Sequence, residues 1–161
     1  MRRCFIHWSL LAGLCLPGAL AAQAAPALEV SWPGGMAHLD AAQLSALPRD
    51  TMSLAFHGGP PHRFAGPRLL AVLRQAGVPV DSLRGRGLAQ YVMAEARDGY
   101  RALFSVGELM EELGNARVMV ADTMDDTALP AEDGPFRLVV PGDRRPSRSA
   151  RQIIRIQLGS P

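Results

Sequence analysis

The hydrophobic pattern of this chain falls into short stretches, mostly of period two, separated by turn residues. Leu28 to Trp32 alternates apolar and polar and predicts a strand that turns at Pro33-Gly34-Gly35. Asp40-Ala41-Ala42-Gln43-Leu44 predicts a short helix, because Asp40 can accept hydrogen bonds from the exposed N–H groups of the first turn; Pro48 closes it. Thr51 to Phe56 predicts a second strand. It runs into His57-Gly58-Gly59-Pro60-Pro61-His62-Arg63, where two glycines and two prolines argue for irregular backbone. The pattern then changes to a helical period: Pro67 suits a first helical position, Leu69, Leu70, Val72 and Leu73 form one apolar face, and Gly77 fits the C-terminal cap.

Period two returns in Tyr91 to Ala96 and Tyr100 to Phe104, with Arg97-Asp98-Gly99 between them, so the segment predicts a β-hairpin. Ser105 and Glu108 form an S-x-x-E capping box that predicts a helix through Leu113, ended by Gly114-Asn115. Strands follow at Arg117 to Ala121, Phe136 to Val140 and Gln152 to Leu158. An acidic loop from Asp122 to Pro135 separates the first two, and the turn Pro141 to Arg148 the last two. About seven strands and three helices, with no repeats or linkers, describe one α+β domain of mixed, mainly β character.

The N-terminus stands apart from this pattern. Arg2 and Arg3 precede an apolar run from Trp8 to Leu20, and Ala22-Gln23-Ala24 offers an A-x-A cleavage site, so residues 1–24 read as a secretory signal peptide and residues 25–161 as the domain. Arg2-Arg3-Cys4-Phe5-Ile6 resembles a twin-arginine signal core, but Met1 stands where Ser or Thr is usual, and paired arginines also begin ordinary secretory signals. Leu14 before Cys15 is too large for a lipoprotein site, which leaves a periplasmic protein.

Cleavage changes the composition. It removes both cysteines, Cys4 and Cys15, and two of the 17 basic residues, leaving 15 to balance 15 Asp and Glu. A thiol-free domain has no disulfide, thiolate nucleophile or cysteine metal site. Zero net charge gives no overall drive toward nucleic acid or anionic membrane, and no later apolar run approaches the length of a membrane span. All 17 basic residues are Arg.

Conventional catalytic motifs are missing as well: there is no G-x-S-x-G elbow, P-loop or H-E-x-x-H. The candidate chemistry lies in two places. His57 and His62, with Arg63, could face one cleft and bind an anion or part of a metal site, although two histidines leave such a site incomplete. Arg144, Arg145, Arg148 and Arg151 could grip phosphate or carboxylate oxygens as guanidinium forks, or form a solvated turn facing the acidic loop. Arg101 and Arg137 lie within predicted strands and are expected to pair with strand or loop carboxylates.

The order of these pieces resembles a known family. A strand ending in a loop, Gly66 before the Leu69-Leu70 helix and Gly77, the Asp98-Gly99-Tyr100 turn, Ser105 with Glu108, and Gly134-Pro135-Phe136-Arg137-Leu138-Val139-Val140-Pro141-Gly142-Asp143 together look like the oxidoreductase molybdopterin-binding domain of the sulfite oxidase superfamily. More closely, they look like its small secreted bacterial members. In catalytic members a cysteine at the strand end before the helix binds molybdenum, and basic residues hold the pterin phosphate. Here that region reads Phe56-His57-Gly58-Gly59, without a cysteine. The resemblance thus implies the fold and a molybdopterin or small anionic ligand near His57, His62, Arg63, Arg144, Arg145 and Arg148, with molybdenum ligation in doubt and no catalytic residue assigned. The expected protein is a periplasmic ligand-binding or accessory module, with a protein partner compatible; the alternative is a molybdopterin-dependent oxidoreductase working with an electron-transfer partner.

Overall fold

The computed structural model describes residues 26–56 and 58–161. The leader with Cys4 and Cys15, and His57, lie outside the described residues. Three sheets pack around two apolar clusters. In the first sheet, β1 (Ala27–Trp32) pairs antiparallel with β2 (Gly35–Asp40) and parallel with β11 (Ile153–Gly159). The sheet continues antiparallel through β5 (Tyr91–Ala96) to β6 (Arg101–Ser105), giving the order β2-β1-β11-β5-β6. The second sheet orders β3 (Arg49–Ala55), β4 (Pro61–Pro67), β8 (Thr123–Met124) and β9 (Thr127–Ala128); the third is the antiparallel pair β10 (Arg137–Val139) and β7 (Met119–Ala121).

The main core forms where the inward residues of the first sheet meet the leucine face of α2 (Leu69–Ala76): Leu28, Val30, Val92, Ala94 and Ile156 pack in one cluster with Leu69, Val72 and Leu73, all buried. A smaller cluster joins Met52, Phe64, Met119 and Val139 from the other two sheets, with Phe56 and Met124 packed against it. Gly66 makes this junction possible. A Cβ there would lie 2.1 Å from the Val120 carbonyl oxygen, so the crossing of β4 and β7 excludes every other residue.

The predicted caps are present. Asp40 accepts from Gln43 N at 2.8 Å at the start of α1 (Ala41–Ser45), and Ser105 and Glu108 form the reciprocal capping box of α3 (Val106–Leu109). Gly77 ends α2 in the left-handed region at φ 90°. The Asp-Gly hairpin has the expected strands, with Tyr91 opposite Ser105.

Several boundaries differ from the pattern. Gly35–Asp40 is a strand, because the Pro33-Gly34 turn folds it back on β1. The irregular loop is shorter than its composition implied. Pro61, His62 and Arg63 already belong to β4, with Pro61 as its first residue, where a missing N–H is tolerated. Pro67 ends that strand and α2 starts at Leu69, because Leu69 N–H donates to Val118 O at 2.8 Å and holds the junction extended. Helix α3 stops at Leu109: Gly114 packs against the Glu108 backbone, and Ala116 N–H donates to Glu108 O at 2.7 Å, turning the chain back. The acidic loop is partly regular, with Asp125 and Asp126 turning β8 into β9 at φ 49° and 64°.

Candidate functional site

The end of β3, the start of β4, the 130–137 segment, the β5–β6 turn and residues 146–151 surround a cavity of about 630 Å³. The ligand position expected from sequence, between His57 to Arg63 and Arg144 to Arg151, is bordered here by Gly59, Pro60 and His62 and by residues 146, 147 and 149–151, but not by Arg144, Arg145 or Arg148. The cavity wall includes a guanidinium. Arg137, the first residue of β10, is 7% exposed and contacts Asp133, itself buried, with Nη1 2.7 Å from Oδ2. The backbone fixes both. Asp133 O accepts from Gln152 N at 2.9 Å, and Leu138 N–H donates to Ala150 O at 2.8 Å.

Two aromatic rings flank the pair. The Arg137 guanidinium carbon lies 4.0 Å from the Phe56 ring centre and 5.4 Å from that of Phe64, and the two rings meet edge to face at 5.5 Å. Burial pulls the Arg137 pKa below its ordinary value, against the attraction of Asp133. Its Nε is buried without a hydrogen-bond partner. Arg151 adds a second guanidinium at the cavity, exposed and 3.9 Å from the same Asp133.

The five described residues among those singled out by sequence are not gathered at one site. His62 lines the cavity, with Nδ1 2.7 Å from Asp125 Oδ2; that contact, with Arg63 N–H donating to Asp125 Oδ1 at 2.9 Å, holds the Asp125 carboxyl below its usual range. The Arg63 side chain pairs with Asp126. Arg148 faces a different cleft, of about 460 Å³, beside Asn115, Arg117 and Gly142. Asp143 takes Arg148 Nε and Nη2 at 2.9 and 2.6 Å, and Glu108 takes Nη1 at 2.9 Å; these carboxylates raise the Arg148 pKa above its ordinary value. Arg144 and Arg145 are exposed and pair with no described carboxylate. His57 lies outside the described residues.

Arg137 and Asp133 were not among the sequence candidates for ligand binding. Their signal was present: Phe136-Arg137-Leu138-Val139-Val140 places one arginine in an otherwise apolar strand, so its partner had to be a nearby carboxylate. Sequence indicated that pairing but not the cavity. Among the described residues, no cluster of three or more His, Cys, Asp or Glu is placed to hold a metal ion.

Residues 39–159 match the family described as the oxidoreductase molybdopterin binding domain. The chain belongs to that family. Its fold is similar to that of the sulfane dehydrogenase SoxCD from Paracoccus pantotrophus, with a TM-score of 0.66 at 19% identity over 84% of this chain. The match covers 38% of the SoxCD chain, so the present chain spans well under half the length of that protein. No curated protein matches the sequence. No described helix is long and apolar enough to cross a membrane.

Proposed function

We propose that this member of the molybdopterin-binding family is a periplasmic ligand-binding or accessory module that works without cysteine-ligated molybdenum, after cleavage of residues 1–24. The observation that carries the reading is the end of β3. Phe56 stands there, its ring stacked on Arg137, and the space holds a buried guanidinium–carboxylate pair. Cysteine-ligated molybdenum needs a thiolate from the chain. Among the described residues the strand end offers none: Phe56 has no ligating atom, and residues 25–161 contain no cysteine. The residues therefore do not fit the cysteine-ligated group, and no reaction step is derived through it.

What these residues can do is bind and orient. The cavity joins a guanidinium end to an apolar wall, a combination suited to small amphipathic molecules. The alternative, an oxidoreductase using a molybdopterin with an electron-transfer partner, draws its support from the family and from the fold shared with a sulfane dehydrogenase. Elemental and pterin analysis of protein isolated from the periplasm separates the two. The accessory reading expects no molybdenum and no pterin fluorescence; molybdenum near one per chain would establish the oxidoreductase instead.

A further inference from the structure

We propose that the cavity beside Arg137 binds a small monocarboxylate with an apolar body, its carboxylate on Arg137 and its body against Phe56 and Met124. This rests on the reading that no molybdenum pterin fills the cavity. Three features lead to the ligand class.

The first is the unmet capacity of Arg137. A guanidinium carries five N–H donors in a planar fork, yet Arg137 has one carboxylate contact, to Asp133, and its Nε has no partner. A buried cation with so few acceptors is poorly compensated, and a carboxylate in the cavity that Arg137 lines supplies a charge-assisted acceptor. The second is the local charge balance. Arg137 and Arg151 approach the same carboxylate, Asp133, which leaves one positive charge in excess at that end. Asp98 and Glu132, both exposed, also line the cavity and repel an incoming anion in proportion to its charge. A single negative charge can be accommodated, whereas phosphate or sulfate meets twice the opposition. The third is the wall. Phe56, Met124, Pro60 and Pro130 line the same cavity and are not fully buried, and an inorganic ion would leave them facing water. Covering them with a hydrocarbon body adds the favourable term that a bare anion lacks, and about 630 Å³ is ample for an aryl or branched-chain acid.

The test is an NMR titration of the exported protein, its metal and pterin content measured beforehand. Benzoate, phenylacetate and isovalerate are compared with neutral phenylacetamide and with inorganic phosphate. At least one acid should shift the backbone amides of Phe56, Phe64 and Arg137, and bind about tenfold or more tightly than the amide, the factor expected for one charge-assisted contact. It should also bind more tightly than phosphate. Arg137→Met with Asp133→Asn removes both buried charges together and should erase the preference for acid over amide. Phe56→Ala, at a half-buried position, should weaken acid and amide alike and serves if the double variant does not fold. Equal affinity for acid and amide, tighter binding of phosphate, or no binding by any of the acids would overturn the proposal while leaving the accessory reading intact. Molybdenum and pterin in the starting protein would instead overturn the reading beneath it.

Discussion

Arg148 lies 4.8 Å from the Phe104 ring centre and Arg137 lies 4.0 Å from that of Phe56, and each faces an aspartate. Beyond that the two guanidiniums differ. Arg148 spends its donors on Asp143, Glu108 and the Leu103 carbonyl, tying the turn after β10 to the capping box of α3 and to the edge strand β6. Its side chain is 35% exposed, so water meets the remainder. Arg137 is more deeply buried and has fewer acceptors, and it borders a cavity. A satisfied arginine of this kind fastens segments together, while an under-satisfied one beside empty volume is placed to receive a ligand. From the run of arginines most conspicuous in sequence, Arg148 supplies the fastener. A single arginine inside an apolar strand supplies the candidate site.

The contrast is broken most forcefully at Arg137. Arg137→Met alone strands the buried Asp133 carboxylate and should cost about 3–5 kcal/mol of stability by chemical denaturation. Arg137→Met with Asp133→Asn should recover most of that loss, because neither charge is then left without its partner. A double variant no more stable than the single one would show that the arginine acts through packing on Phe56 rather than through its charge. At Arg148 the expected effect is smaller. Arg148→Ala removes partly solvated contacts and should cost about 1–2 kcal/mol, with ligand binding at the cavity unchanged; lost binding would merge the two regions into one site.

A further satisfied carboxylate gives the acid limb. Asp50 accepts from Arg117 and Arg68, and these contacts hold its pKa below the ordinary 3.8. Its folded pKa is thus lower than its unfolded one, so the stability it confers is complete above the ordinary carboxyl value and fades as pH falls through the folded value. Thermal melts of Asp50→Asn against the parent should show a stability difference at neutral pH that shrinks below about pH 4. The least effect is expected from Arg144→Ala with Arg145→Ala: exposed and unpaired among the described residues, they should change stability by no more than about 0.5 kcal/mol. A larger change, or lost ligand affinity, would restore the turn to the site.

Much of the fold was legible because its signals are local. The capping boxes of α1 and α3, Gly77 at the end of α2, and the Asp98-Gly99 hairpin each depend on residues a few positions apart. The strands missed or misplaced depend on pairing rather than on their own pattern. β2 is extended because the Pro33-Gly34 turn folds it back on β1, and Pro61 to Arg63 because they begin a strand that pairs with β3 and with the distant β8. The order β2-β1-β11-β5-β6 joins the chain's two ends and left no local trace.

The site followed the same division. Two bounding segments, His57 to Arg63 and Arg144 to Arg151, were expected from sequence, and parts of both, Gly59, Pro60 and His62 and residues 146, 147 and 149–151, line the cavity. The residues within it were only partly anticipated. His62 lies at the cavity, whereas Arg148 was drawn away by Asp143 and Glu108, carboxylates that no sequence spacing could rank against a ligand. A carboxylate partner for Arg137 was expected, and Asp133 four positions earlier provides it, but the stacking on Phe56 arises from tertiary packing alone.

Under the proposed function the exported domain carries neither leader nor molybdenum pterin. A native mass spectrum of the protein taken from the periplasm tests both parts at once. A chain beginning at Ala25 with no added molybdenum pterin is expected; a species carrying that group at full occupancy would overturn the proposal.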